Sequence, residues 1–177
     1  MRRFLDRLYA ASAALAAVCL ASIAVVMLAQ AGLREFGLLL RGADDMVAWL
    51  CAASAFLALG YTFRHGELVR VSLVLVRLPP RARRHAETAC LVGALIVVAY
   101  ATWAVSNFVY ESWRFNELAQ GLLQIPIWMP QMSLVAGCGV LLIAVVEDLI
   151  AHLRGRKTAY QAAEDARHAQ ADFSDRL

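Results

Sequence analysis

The stretch LAQGLLQIPIWMPQMSLVAGCGVLLIAVV, residues 118–146, runs for 29 positions without a charged side chain. An α-helix rises about 1.5 Å per residue, so roughly 20 apolar residues cross the hydrocarbon core of a bilayer, which is about 30 Å thick. The stretch is long enough for this and predicts a transmembrane helix. It also carries two prolines, Pro126 and Pro130, on either side of Trp128, before its uninterrupted apolar run begins.

Three other stretches of the chain also lack charged residues. They cover residues 8–33, 46–63 and 88–110, which are 26, 18 and 23 positions long. The whole chain is 61% hydrophobic with a mean hydropathy of +0.59, which is high for a water-soluble domain. Charge and hydropathy patterning therefore predict an all-α integral membrane protein with four transmembrane helices, at about residues 8–33, 46–63, 88–110 and 130–146.

The positions of the arginines and lysines predict the orientation of these spans. Of the 17 cationic residues, 14 lie in the N-terminal tail, the second connection and the C-terminal tail, and three lie in the first and third connections. Because cationic residues accumulate on the cytoplasmic side of membrane proteins, we expect both termini in the cytoplasm. The basic start followed by an apolar stretch also resembles a cleavable signal peptide, but the apolar part exceeds the roughly 7–15 residues typical of one.

The second connection contains an apolar segment, residues 67–78, that is too short to cross a bilayer. Arg70 and Arg77 lie seven positions apart and share one helical face at about 100° per residue. This pattern is typical of an amphipathic helix lying in the cytoplasmic interface. The valines of the segment also suit a β-strand, although an open strand edge is disfavoured at a bilayer. Pro79 and Pro80 end the segment.

Polar and proline residues mark the outer ends of the second and fourth spans. Pro130 suits the first turn of a helix, where a missing N–H costs nothing, and Pro126 favours an extended approach to it. Trp128 suits the lipid–water interface. The prolines therefore predict a rigid start to the last helix on the extracytoplasmic side. Asp44 and Asp45 are placed to cap the first turn of the second helix and to complement its dipole.

The four spans hold no Asp, Glu, Lys, Arg or His within their apolar length, and this limits the function of the chain. Intramembrane charges mark proton relays, ion paths and substrate counter-ions. A haem-bearing anchor would need histidines inside its helices, whereas the histidines are expected in connections or the tail: His65, His85, His152 and His168. Metal-ligand, phosphate-loop and nucleophile motifs do not occur. The sequence predicts an accessory subunit that is not an enzyme, with no cofactor, metal site or nucleic-acid partner.

The domain organisation follows from the same pattern. Residues 1–150 are predicted to form a single four-helix membrane domain, and residues 151–177 a charged cytoplasmic tail. Small residues recur on the helices, among them Gly93, Gly137 and Gly139. They permit close contact between helices in a membrane, but they do not identify the helix that makes the contact.

Three patches of the sequence carry a resemblance to a known family. The patch ADDMVAWLCAASAFLALGYTFRHGELVRVSLVL, residues 43–75, has an acidic start, an aromatic-bearing second helix and an Arg-x-Gly turn. LPPRARR, residues 78–84, is a helix-breaking basic link, and QIPIWMPQMSLVAGCGVLLI, residues 124–143, joins an I-P-x-W-x-P segment to a helix with small residues. In this order they resemble the small membrane subunit of TRAP transporters (tripartite ATP-independent periplasmic transporters, DctQ-like), over roughly residues 4–150.

Two positions depart from the pattern of that family. Members often have His where Glu67 stands, so the charge is reversed here, and an Asp44-Asp45 pair replaces a more usual glutamate. These departures bear on the role of the two positions and leave the resemblance of the three patches unchanged.

The resemblance implies a function by assembly. In such transporters a periplasmic binding protein captures the solute, often an organic acid, and a large membrane subunit holds the substrate and Na⁺ sites. The small subunit is expected to brace the large one in the bilayer of the bacterial inner membrane, with the binding protein as a transient partner that docks near the prolines. The alternative is a self-contained four-helix membrane protein with a structural or signalling role that forms a homo-oligomer. The candidate residues for partner contact or membrane positioning are Asp44, Asp45, Trp49, Arg64, Gly66, Glu67, Arg70, Arg77, Pro126, Trp128 and Pro130.

Overall fold

The structure, a computed structural model, describes residues 2–38, 40–65 and 80–155. Each of its four helices is long and apolar enough to cross a membrane, and each contains one of the predicted spans. They are α1 (Arg2–Glu35), α2 (Ala43–Arg64), α3 (Pro80–Arg114) and α4 (Trp128–Leu153). Over the described residues the prediction of an all-α protein with four membrane-spanning helices is therefore confirmed.

Part of the sequence prediction lies outside the described residues. The interfacial helix expected at residues 67–78 belongs to this part, together with most of the charged tail. Four of the candidate positions also lie there: Gly66, Glu67, Arg70 and Arg77.

The helices pack in the order α1, α2, α4, α3. Extensive contacts join α1 to α2, α2 to α4, and α4 to α3, whereas α1 touches α4 over only a few residues. Within the described part of the chain, α3 makes no comparable contact with α1 or α2. The central position of α4 is visible in its burial, because 33% of its apolar window is buried, against 6% for α3. The four helices therefore form a row with two outer edges, α1 and α3, and not a closed bundle.

Glycines allow α2 and α4 to approach closely at the centre of the row. A Cβ atom added at Gly137 would lie 2.5 Å from the backbone carbonyl carbon of Phe56, and one added at Gly60 would lie 2.5 Å from the Cγ1 atom of Val140. Gly139, two positions along α4, has no atom within 4 Å of the same construction. Only some of the small residues of α4 therefore serve the contact with α2, because a helix presents only one face to its neighbour.

Short polar contacts and small residues hold the outer pairs of the row. The Ser12 hydroxyl donates a buried hydrogen bond of 2.6 Å to the Leu57 carbonyl, which joins α1 to α2. Ala16 packs beside this bond against Ala53 and Leu57. Between α3 and α4, the Thr102 hydroxyl lies 3.5 Å from the Cys138 carbonyl oxygen. Interhelical bonds of this kind are worth roughly 0.6–2 kcal/mol each in membranes.

The two ends of the row differ in what they contain. One end, which we call the terminal end, holds the start of α1, the end of α2, the start of α3 and the end of α4. The other, which we call the loop end, holds the α1–α2 and α3–α4 connections. Both described chain ends therefore lie on one side of the row, as an even number of antiparallel spans requires.

Candidate partner-binding surfaces

The α3–α4 connection at the loop end is an ordered hairpin. Leu118 and Pro126 face each other in an antiparallel β-bridge. The backbone N–H of Ala119 donates to the Ile125 carbonyl at 2.9 Å, and that of Ile127 donates to the Glu117 carbonyl at 3.0 Å. Pro126 therefore lies in an extended segment, two residues before α4 begins. This agrees with the preference of the residue before a proline for an extended backbone. Pro130 is the third residue of α4 and lies within its first turn.

Asp45 fastens this hairpin to the start of α2. Its Oδ2 atom accepts a hydrogen bond of 2.9 Å from the backbone N–H of Leu122. The carboxyl group also occupies the space that a Cβ atom at Gly121 would need, so a larger residue at position 121 would require the Asp45 side chain to move. Asp44 contacts α1, where its Oδ1 atom accepts a bond of 3.3 Å from the Gln30 amide.

The structure corrects the capping role predicted for these two carboxylates. The N-cap position of α2 is Gly42, and no side-chain hydrogen bond caps the helix. Gly42 has a φ of 79°, a left-handed value that glycine adopts without strain. The Leu123 side chain packs directly against it, in the space of a missing Cβ. The carboxylates still lie in the first turn, where a negative charge complements the helix dipole.

An apolar groove opens between α2, the hairpin and α4 at the loop end, and we call it the loop-end groove. Its volume is about 360 Å³. The structure brings two of the predicted residues, Trp49 and Pro130, into its lining, whereas Trp128 lies half-buried beside it. The complete lining is Met46, Trp49, Leu50, Ala53, Leu123, Ile125, Met129, Pro130 and Ser133.

Arg64, the last residue of α2, joins three helices at the terminal end. Its guanidinium group forms ion pairs with Asp6 of α1 and, at 3.7 Å, with Glu147 of α4. It also lies over the ring of Tyr9, 4.7 Å from the ring centre. The Tyr9 hydroxyl, which belongs to a side chain only 1% exposed, donates a bond of 3.2 Å to Glu147. We call these four residues the terminal cluster.

A second polar contact joins α3 to α4 at the same end. The Nε2 atom of His152 lies 3.0 Å from the Thr88 hydroxyl, and its Nδ1 atom lies 3.9 Å from the Glu87 carboxylate. The sequence-based placement of His85 in a connection and of His152 in the tail is wrong, because α3 begins before His85 and α4 ends after His152. The first charged residue shows where the apolar part of a helix ends, but the helix itself continues beyond that residue. The helix ends therefore could not be located from charge alone.

Sequence reasoning missed the role of Tyr9 and His152 in these contacts. Tyr9 was read only as part of an apolar span, and His152 as a residue of the tail. The sequence offered one signal for His152: it lies four positions after Asp148, so the two side chains share a helical face. The structure buries both of them. No three His, Cys, Asp or Glu side chains among the described residues form a group that could hold a metal ion.

The outer edges of the row expose large apolar side chains. On α1 these include Leu15, Val18, Leu20, Val25, Met27 and Leu28. On α3 they include Val92, Ile96, Val97, Tyr100, Trp103, Phe108, Tyr110 and Trp113. A helix that is apolar on its outer as well as its inner face is buried in lipid or in further protein.

Comparison with known proteins assigns the chain to a family. Residues 23–155 match the family model described as Tripartite ATP-independent periplasmic transporters, DctQ component. No curated protein matches the chain in sequence. The matched region contains α2, α3 and α4 completely and residues 23–35 of α1. It therefore includes the loop-end groove together with Arg64 and Glu147 of the terminal cluster. The chain therefore belongs to the DctQ family, the small membrane component of the TRAP transporters.

Proposed function

We propose that this chain is a non-catalytic scaffold that holds the large membrane component of its transporter in the bilayer. The observation that carries the proposal is the open row of four helices, whose outer edges expose apolar side chains along their length. A row of this kind gives a larger membrane protein a long side surface to pack against. Charged side chains gather at its ends, so the interior of the row supplies no counter-ion for a charged solute.

In this proposal the terminal end faces the cytoplasm of the bacterial inner membrane. The cationic residues of the sequence support this orientation, since 14 of the 17 fall in the segments joined to that end. The loop end then faces the periplasm, where a binding protein arrives with its solute. Pro126 is held there by the hairpin contacts, and Trp128 and Pro130 follow it in the first turn of α4. This is the surface we propose for the transient docking of the binding protein.

The solute is taken up together with Na⁺ in this proposal, and an organic acid is the class we favour from the family resemblance. The binding protein and the large component select the solute. The present chain determines whether the large component keeps a productive position while it moves. Loss of this chain is therefore expected to reduce uptake strongly, although the chain itself does not bind the solute.

Uptake by reconstituted vesicles tests the proposal. Vesicles would contain the large component with or without this chain, and the binding protein and a radiolabelled organic acid that it binds would be added outside under an inward Na⁺ gradient. We expect uptake only when both membrane components are present, and its loss when K⁺ replaces Na⁺. Vesicles with the Gly139→Ala variant of this chain serve as a control for the effect of substitution itself. A Cβ atom at this position has no neighbour within 4 Å, so the variant should support full uptake. Full uptake by the large component alone would contradict the scaffold role.

A further inference from the structure

The outward edge of α3 carries aromatic residues with polar tips in the middle of its span. Tyr100 is 66% exposed and Trp103 is 61% exposed, and their rings lie 6.0 Å apart. Their spacing of three positions puts them on one helical face, together with Ile96 and Asn107. The opposite face of α3 holds Leu91 and packs on α4. In the described part of the chain, the exposed Tyr100–Trp103 face therefore lies away from α4, the helix on which α3 packs.

These two residues lie too deep in the membrane for their polar atoms to reach water. The charge-free stretch 88–110 has its midpoint at residue 99, so Tyr100 lies one position from the centre and Trp103 four positions. At 1.5 Å per residue, Trp103 is about 6 Å from the centre, whereas the interface lies about 15 Å from it. Neither the phenol hydroxyl nor the indole N–H reaches the headgroups from there.

The Tyr100–Trp103 face of α3 is poorly suited to contact with lipid. Tyrosine and tryptophan are enriched at the two interfaces of a membrane, where their polar tips meet water, and hydrocarbon offers those tips no hydrogen-bond acceptor. The edge formed by α1 differs in this respect. Near the middle of α1 the large exposed side chains are purely apolar and suit acyl chains, namely Leu15, Val18 and Leu20. The Ser22 hydroxyl there bonds to the Val18 carbonyl of the same helix.

We propose that the Tyr100–Trp103 face of α3 is the surface that binds the large membrane component of the transporter, while the outer edge of α1 faces lipid. The occupant is a transmembrane helix that presents carbonyl or hydroxyl oxygens at mid-depth to the phenol and the indole. Gly93, one to two turns before Tyr100, has no atom within 4 Å of an added Cβ, which leaves room for a helix to approach. This inference rests on the proposed function, because it needs a large component in the same membrane.

Site-specific photo-crosslinking tests the assignment of the two edges. A benzophenone amino acid would replace Ile96 on α3 or Val18 on α1, two side chains of similar depth that are 64% and 61% exposed. We expect the Ile96 probe to form an adduct with the large component in native membranes and the Val18 probe to form none. The reverse pattern would overturn the assignment, and so would an adduct of Ile96 with a second copy of this chain or with lipid alone. Capture of the large component by the tagged wild-type chain in the same membranes shows that the proposed function stands independently.

Substitution provides a second test that does not depend on the probe. Trp103→Leu keeps an apolar side chain and disturbs no described packing partner on another helix, so the chain is expected to fold. Because buried tryptophans often dominate an interface, we expect recovery of the large component to fall by about tenfold or more. Val18→Leu is the matched control and should leave recovery unchanged. Equal recovery with both variants would overturn the proposal.

Discussion

The close approach of α2 and α4 at Gly137 predicts that the Gly137→Ala substitution lowers the free energy of unfolding. A Cβ atom at this position would lie 2.5 Å from the carbonyl carbon of Phe56 and 2.8 Å from its Cβ atom. Ordinary contacts begin at 3.4 Å. The shortfall is therefore 0.9 Å against a backbone atom, which no side-chain rotation relieves. Helices α2 and α4 must separate by about that distance, and overpacking of this kind typically costs about 1–3 kcal/mol.

Gly139→Ala is the control for this prediction. Both changes are made in α4, and both gain the higher helix propensity of alanine, worth up to about 1 kcal/mol in a helix interior. Because no atom lies within 4 Å of a Cβ at Gly139, only the first change meets an obstacle. The difference between the two variants therefore isolates the cost of the clash.

Reversible unfolding in mixed micelles, followed by the loss of helical circular dichroism, measures this difference. At about 1.4 kcal/mol per factor of ten, the expected gap corresponds to a folding equilibrium about five- to a hundredfold less favourable for Gly137→Ala than for Gly139→Ala. Equal stabilities of the two variants would refute the packing of α2 on α4 at this point. A more stable Gly137→Ala variant would refute it more strongly.

Two further predictions concern the two ends of the row. Tyr9→Phe keeps the ring under Arg64 but removes the hydrogen bond to Glu147, so we expect the free energy of unfolding in the same assay to fall by about 1–3 kcal/mol, whereas an unchanged stability would argue against that bond. Asp45→Ala removes the acceptor of the Leu122 N–H, and hydrogen exchange of that amide should accelerate, while Asp45→Asn, which keeps an acceptor oxygen, should protect it. Equal exchange in both Asp45 variants would show that the carboxyl group does not hold the hairpin.

The number and location of the helices could be predicted because the bilayer imposes a length on every span. The charge-free stretches give that length, and each of the four spans predicted from them lies within one helix of the structure. Pro126 and Pro130 could be read in the same way, since the missing N–H of proline acts locally. Features that depend only on neighbouring residues are therefore visible in the sequence.

The order in which the helices pack could not be predicted. In a soluble protein the polar face of a helix shows which side points outward, but a membrane span is apolar all round, so that signal is weak. Gly137 and Gly139 look alike in the sequence, and only the position of Phe56 on α2 separates a contact residue from an open one.

The contacts at the two ends were hidden for a related reason. Asp45 was expected to cap its own helix, yet it binds the backbone of Leu122, 77 positions away. Arg64 was predicted to contact a partner or to position the chain in the membrane, and its ion pairs with Asp6 and Glu147 on two other helices were not foreseen. All three partners are distant in the sequence, and one of them is a backbone N–H group. Such pairs become visible only when the fold brings them together.

Native mass spectrometry of the complex released from membranes tests the central claim most directly, namely that this chain works as part of a larger membrane assembly. The complex would be extracted in a mild detergent through a tag on this chain, which is 19.4 kDa once the tag is cleaved off, and the intact mass would be measured with the companions attached. The scaffold account predicts a stable species that contains this chain and a much larger protein with many spans of its own. Species that contain only whole multiples of 19.4 kDa would contradict it and would favour the self-contained homo-oligomer.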